Sequence, residues 1–222
     1  FVPKLLVDGL QAVEDRNFQN HIGIDPLGVM RAIYVNIREV GFEQGASTLT
    51  QQLVRSLFLS NTKTISRKIK EALYSLIIEA RFDKKKILEA YLNQVYLGQV
   101  VGDQSIHGIS AGADFWFGRD VSNLKDHEIA LLIGLVQGPY YWDPRKHPER
   151  ALKRRAVVLG VFLETGLLTQ QQFDVANKAP LGVVEKPVLV RNRAPAFLDI
   201  VRRQLAKDYK NSDLSGQGLT VL

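Results

Sequence analysis

Apolar residues recur at helical spacing over most of the first 178 positions of the chain. Apolar side chains at i, i+3, i+4 and i+7 share one face of a helix, so such runs predict amphipathic helices. The pattern predicts helices over Lys4–Asp15, Pro26–Glu39, Thr48–Leu59, Thr64–Arg81, Lys84–Leu97, Ile109–Phe117, Asn123–Gln137, Pro148–Thr165 and Thr169–Asn177. Ser47, Asn61 or Thr62, Asp83, Ser122 and Thr169 are the capping candidates, because short polar side chains accept the free N–H groups of a first turn. Asp25-Pro26 and His147-Pro148 put proline where a helix needs no N–H donor. Breaks fall at Gly23, Gly41–Gly45, Gly98–Gly102 and Gly138–Asp143. Residues 181–195 read as extended, Pro195–Tyr209 as a short helix and Leu219–Leu222 as the start of a strand. The expected architecture is an all-α domain over residues 1–180, followed by a tail over 181–222.

The polar faces of these helices carry the candidate chemistry. In Thr64–Arg81, Ile65, Ile69, Ala72, Leu73, Leu76 and Ile77 form an apolar stripe, and Arg67, Lys68, Glu71 and Ser75 lie on another face. The order Arg67 then Glu71 is the weaker orientation for a helix-stabilising pair, which tilts the reading slightly towards a site, although a surface ion pair worth about a few tenths of a kcal/mol has the same pattern. In Thr48–Leu59, Thr48, Gln52 and Arg55 form a polar stripe behind a glycine turn at Gly45. Ser47 can cap that helix. A helix N-terminus with hydroxyls and a following Arg suits an anion or a sugar. A capped amphipathic helix of no special function has the same pattern. Ile87–Gly98 is apolar around most of its circumference, so it reads as buried, with Glu89 and Asn93 as a structural polar network. The first helix ends in Glu14-Asp15-Arg16, three charges that point in different directions. A carboxylate there, near Phe18, would have its pKa raised by desolvation, as a general base requires.

Composition narrows the chemistry. The chain has no Cys, which excludes thiolate catalysis, disulfides and Cys-based metal sites. Its 4 His are scattered, and no His-Glu-Xaa-Xaa-His occurs. No phosphate-binding glycine loop, serine elbow or dinucleotide fingerprint is present. The longest apolar uncharged run, Ile129–Trp142, has 14 residues and is broken by Gly134, Gly138 and Pro139. A membrane-spanning helix needs ~20. Phe1 at the start, the single Met at position 30 and the truncated strand at Leu222 lead us to expect a piece of a longer protein.

The net charge of +6 is concentrated. Residues 63–86 hold eight basic and three acidic side chains, and residues 145–155 hold six basic and one acidic. Such islands suit an anionic partner, although charge runs are more often solvated helix faces.

Four motifs in order then identify a family resemblance: Glu-Asp-Arg-Xaa-Phe-Xaa-Xaa-His-Xaa-Gly (14–23), Gly-Ala-Ser-Thr-Leu-Thr-Gln-Gln (45–52), Arg-Lys-Xaa-Xaa-Glu-Ala (67–72) and Ile-Leu-Glu-Xaa-Tyr-Leu-Asn-Xaa-Val-Tyr-Leu-Gly (87–98). Together with Ala130–Pro139 they resemble the peptidoglycan glycosyltransferase domain of class A penicillin-binding proteins, in particular the b-type of Gram-negative bacteria. The resemblance implies a lysozyme-like helical bundle with a small membrane-facing jaw, expected over Pro26–Phe42 and Leu57–Leu59. It implies polymerisation of lipid II into glycan strands at the periplasmic side of the bacterial inner membrane, with release of undecaprenyl pyrophosphate. Glu14 matches the general base. Glu71 matches a second glutamate near the pyrophosphate, which holds a divalent cation (Mg2+ or Mn2+) or basic side chains. Asp15, Phe18, His21, Gly45, Ser47, Thr48, Gln51, Gln52, Arg55, Arg67, Lys68, Asn93 and Tyr96 are the implied substrate-binding set. Arg55 and Ser56 depart from the family, where Lys and Asn are common. The resemblance also implies sensitivity to moenomycin, a transpeptidase domain beyond the tail and an N-terminal transmembrane anchor.

Two other classes compete. A lysozyme-type hydrolase also uses a Glu in a helical cleft, but needs no cations beside a second Glu. A basic module binding nucleic acid or anionic lipid explains the charge, but not carboxylates among the cations. The Arg67–Lys68–Glu71 cluster favours transfer from a pyrophosphate, with no nucleic acid partner. The second basic island, Arg145–Arg155, faces lipid headgroups or solvent in this reading.

Overall fold

A computed structural model describes residues 1–26, 28, 47–60, 62, 64–100 and 105–185. Eight α-helices are present among the described residues: α1 (Lys4–Glu14), α2 (Leu49–Phe58), α3 (Ile65–Arg81), α4 (Lys84–Gln94), α5 (Ile109–Phe117), α6 (Asp126–Leu135), α7 (Pro148–Glu164) and α8 (Gln170–Lys178). The all-α expectation therefore holds, with one small addition. The helix expected to run to Leu97 stops at Gln94, and Tyr96–Gln99 (β1) pairs antiparallel with Ser105–His107 (β2). Gly98 sits at φ +155, and a Cβ there would stand 3.2 Å from Phe115 and 3.3 Å from Trp116. Only glycine lets the strand lie this close to α5, whose Trp116 indole donates to Leu97 O at 2.9 Å.

The helix of α6 is buried along Glu128–Leu135 and forms the centre of the core. α1 and α7 pack on it through Leu6, Leu10, Val158, Leu159 and Phe162, all inaccessible to solvent. α2 and α4 pack on each other and extend the same core with Leu49, Leu53, Ile87 and Tyr91. Leu181 and Val183 still pack against this core. All described residues belong to one compact unit, Phe1–Pro187.

Local chemistry explains the helix starts. Asp83 and Thr169 cap as the sequence predicts, each accepting from the N–H three residues on. Thr48, not Ser47, caps α2, in a capping box with Gln51. Thr64, not Thr62, caps α3, and Asn61 lies outside the described residues.

Two helices differ from expectation in which face they bury. In α4 only Ile87, Leu88 and Tyr91 are buried, while Glu89 and Asn93 are exposed, so they brace no neighbouring helix. In α3 the apolar stripe points outward: Ile65 is 83% exposed, Ile69 56% and Leu73 53%. Its buried residues are the polar Glu71 and Ser75. The expected helix Pro26–Glu39 apart from Pro26 and Gly28, most of the expected jaw, Gly45 and the elements expected beyond residue 185 lie outside the described residues.

Candidate active site

Glu14 closes α1, and its side chain turns into the protein, 6% exposed. Gln52 of α2 donates from Nε2 to Glu14 Oε2 at 3.1 Å. The Tyr91 hydroxyl of α4 donates to Gln52 Oε1 at 2.8 Å. From α7, Arg154 brings Nη2 to 3.8 Å from Glu14 Oε1. Burial raises the Glu14 pKa above the ordinary carboxylate value; the Gln52 hydrogen bond, Arg154 and Arg55 act against that rise, and Asp15 adds to it. Burial also pushes the Tyr91 phenol well up, with Glu14 assisting. A carboxylate with a raised pKa and a neutral donor on one oxygen is fit to accept a proton.

The adjacent charges do diverge, as the sequence implies. Asp15 accepts from His21 Nε2 at 2.9 Å and from the Leu49 N–H at 2.9 Å. Gly23 N–H donates to His21 Nδ1 at 3.0 Å, so the proton of the ring lies on Nε2 and points at Asp15. Arg16 reaches outward to Glu164 at 3.5 Å. Phe18 is core, edge-on to His21 with centroids 5.9 Å apart and with Lys84 Nζ 4.6 Å above its ring. Asp15, Phe18 and His21 thus anchor the N-terminus of α2 and offer no free polar atom to a sugar.

The second carboxylate is organised from α3. Glu71 is completely buried, and each of its oxygens accepts from one cation, Arg67 Nη1 and Lys68 Nζ. Arg67 Nε also donates to Thr62 O at 2.6 Å. Lys68 Nζ also donates to Ser47 Oγ at 2.9 Å. Ser75 Oγ donates to Glu71 O at 2.7 Å. This donor set does not fit a divalent cation resident on Glu71: both carboxylate oxygens already face positive charge, which would repel Mg2+ or Mn2+.

The segment leading into α2 links the two carboxylates. Ser47 reaches the Glu71 cluster through Lys68, and one turn into the helix Gln52 reaches Glu14. Arg55, half-buried on the same helix, contributes positive charge towards Glu14.

The structure therefore gathers Glu14, Gln52, Arg55, Ser47, Arg67, Lys68 and Glu71 around α2. It gives Thr48 and Gln51 to the cap and to Gly23 O, which Thr48 Oγ1 reaches at 2.7 Å. Asn93 folds back onto Glu89 O at 3.0 Å, and Tyr96 packs on His107 with centroids 5.4 Å apart; neither joins the gathered cluster. Sequence reasoning passed over three participants. Tyr91 lies inside the motif Ile87–Gly98, where the apolar surroundings mark it as core and hide its hydroxyl. Glu79 accepts from Thr50 Oγ1 at 2.6 Å and pairs with Lys84 at 2.7 Å beneath His21. Arg154 belongs to the second basic island, which the fold divides: Lys146, Arg150 and Lys153 are exposed as expected, while Arg145, Arg154 and Arg155 turn inward. Arg145 stacks on Phe115 and Trp116, and Arg155 donates to the carbonyls of Asn177, Ala179 and Pro180. The signal was available: Arg154 and Arg155 interrupt the apolar spacing of Ala151, Val158, Leu159 and Phe162.

A family model described as Transglycosylase matches residues 1–162. The chain belongs to the transglycosylase family. Penicillin-binding protein 1B of Haemophilus influenzae is 44% identical over 217 residues, covering 96% of this chain and 28% of that protein. Penicillin-binding protein 1B of Escherichia coli is 42% identical over 216 residues, covering 96% of this chain and 25% of that protein. Penicillin-binding protein 1A of Aquifex aeolicus is 43% identical over 208 residues, covering 94% and 28%. The chain thus spans about a quarter of the length of these relatives.

Proposed function

We propose that this chain is a peptidoglycan glycosyltransferase that polymerises lipid II in bacterial cell wall synthesis. The observation that carries the reading is the division of labour between two buried carboxylates in a transglycosylase-family chain: Glu14 with a raised pKa, and Glu71 holding two cations.

Glu14 accepts the proton of the acceptor's GlcNAc 4-hydroxyl. The freed oxygen attacks C1 of the lipid-linked donor sugar with inversion, and undecaprenyl pyrophosphate departs. The departing group concentrates negative charge, which cations fixed in advance stabilise best. Arg67 and Lys68 supply them: Arg67 as a two-pronged donor, Lys68 as a point charge. Glu71 keeps both pre-placed. The divalent cation expected at Glu71 has no role here, because these side chains already occupy the carboxylate.

A hydrolase needs only the Glu14 half of this arrangement. The moenomycin sensitivity implied by the resemblance belongs to the same reading, as do a catalytic domain over about residues 1–180 and a linker over 181–222 towards a transpeptidase domain. Among the described residues no helix is long and apolar enough to cross a membrane. Contact with the periplasmic surface of the inner membrane is assigned to the exposed stripe Ile65, Ile69, Leu73 and Ile77, together with Leu57 and Phe58. An N-terminal anchor would hold the longer protein there. The test is gel analysis of labelled lipid II incubated with the chain, with and without moenomycin. Glycan strands that vanish with moenomycin are expected. Conversion of lipid II to short hydrolysis products alone would overturn the reading.

A further inference from the structure

Glu14 Oε1 and Arg154 Nη2 are both buried, and neither has a hydrogen-bond partner. Their side chains are 6% and 7% exposed, and the two atoms face each other at 3.8 Å. Opposite charges this deeply buried ordinarily close to hydrogen-bond contact, at about 2.7–2.9 Å. These two are held apart because each is tied elsewhere. Gln52 holds the other Glu14 oxygen at 3.1 Å. Gly134 O of α6 accepts from Arg154 Nε at 3.2 Å. Gly134 also makes room for the stem of the arginine: a Cβ there would stand 3.0 Å from Arg154 Cγ and 3.8 Å from its Nε. The guanidinium is therefore seated by α6 and aimed at the carboxylate without engaging it.

We infer that Arg154 is a positioning residue that keeps Glu14 ionised while leaving Oε1 open to receive the acceptor's proton. The inference rests on the reading of Glu14 as the general base. A buried base faces opposing demands. It must be an anion before the reaction, which burial disfavours, and it must keep a lone pair free. A bidentate Arg–carboxylate bridge would meet the first demand and defeat the second, since it occupies both oxygens. A cation at 3.8 Å meets both. It acts again after transfer: a protonated Glu14 no longer balances Arg154, so the cation favours loss of that proton to water before the next addition.

Gln52 also favours the anion, more strongly than Arg154 does, but as a neutral donor on Oε2, so Arg154 is the foremost charge that does so. Asp15, at the end of α1, opposes ionisation. Arg55 of α2 assists it less than Arg154 does. Tyr91 of α4 is a neutral phenol and donates to Gln52, not to Glu14.

The experiment follows polymerisation of lipid II against pH in the parent, R154K and R154M, and thermal unfolding of E14Q, R154M and E14Q/R154M. Loss of the cation in R154M is expected to move the acidic limb of kcat/KM up by about one pH unit, as an opposite charge this close lowers a carboxyl pKa by that order. R154K is expected to keep the limb near its parental position. The unfolding cycle is expected to show coupling, with the double variant more stable than the single changes sum to. An R154M limb that overlays the parent's, with only a lower plateau, means a purely structural arginine and overturns the inference; additive unfolding does the same. If R154M alone does not fold, recovery of folding in E14Q/R154M supports the pair and failure to recover overturns it. Parental polymerisation by E14Q would remove the base reading itself, whereas an inactive E14Q with additive unfolding removes only the role of Arg154.

Discussion

Tyr91 Oη donates to Gln52 Oε1 at 2.8 Å, and with the Ser47 carbonyl, which accepts from Gln52 Nε2 at 3.5 Å, it sets which end of the Gln52 amide meets Glu14. With its carbonyl taken, Gln52 presents Nε2 to the carboxylate at 3.1 Å. A flipped amide would set oxygen against oxygen. Tyr91→Phe removes the bond and leaves a largely buried carbonyl without a donor. The expected cost is about 1–2 kcal/mol of stability, read by chemical denaturation. Lipid II polymerisation should fall with it, more in kcat than in KM. Unchanged kcat in a folded Tyr91→Phe protein would show that Gln52 is oriented by something else.

The raised pKa of Glu14 makes a signed prediction about stability. A carboxyl whose folded pKa lies above its unfolded value binds protons more tightly when folded, so the native state loses stability as pH rises through that window. Glu14→Gln cannot lose that proton. Its melting temperature relative to the parent should therefore rise between pH 4.5 and neutrality, while its catalysis is lost. Parallel melting curves across that range would contradict the raised pKa.

Asp15 is a joint. It accepts from His21 and from the first amide of α2, where a negative charge also suits the helix N-terminus. Asp15→Asn cannot accept at both positions without turning an amide N–H towards a donor. The expected loss is about 2 kcal/mol, with faster hydrogen exchange in the first turn of α2. Normal exchange there would mean that the Thr48–Gln51 capping box holds the helix alone.

What the sequence disclosed divides along local and long-range physics. The caps Asp83 and Thr169 and the stripes of α1 and α7 were legible, because they depend on neighbours within one or two turns. The orientation of α3 was not. Periodicity locates an apolar face, but which face meets the protein depends on what the rest of the chain brings. Here the segment leading into α2 meets the Glu71 side of α3, where Ser47 accepts from Lys68. The β1–β2 pair depends on residues 105–107, which lie beyond the reach of a helical pattern around Tyr91. The motifs named Glu14 and Glu71; they did not show that Asp15, Thr48 and Gln51 spend their polar atoms on the scaffold.

The outward stripe of α3 gives a surface prediction. Ile69→Ser with Leu73→Ser changes side chains more than half exposed, so stability should shift by no more than about 0.5 kcal/mol for each. Flotation with anionic liposomes should drop in the same protein. A large loss of stability with unchanged flotation would mean that the stripe is covered by protein and does not meet lipid.

Glu71 is fully buried against two cations that keep other partners, Arg67 on Thr62 O and Lys68 on Ser47 Oγ. Glu71→Gln removes the negative charge without removing those tethers. The cations then stay close to their places but are no longer neutralised. Affinity for inorganic pyrophosphate should be kept or should rise, while polymerisation falls by about a hundredfold, the scale seen when pre-placed electrostatic stabilisation is disturbed. Lys68→Ala should behave oppositely in binding, since it deletes a phosphate cation and leaves Glu71 with one partner. Calorimetric titration of both variants with pyrophosphate separates the two. If Glu71→Gln loses pyrophosphate binding as Lys68→Ala does, the carboxylate takes part in the binding itself, through a bridging metal, and its role is more than holding Arg67 and Lys68 in place.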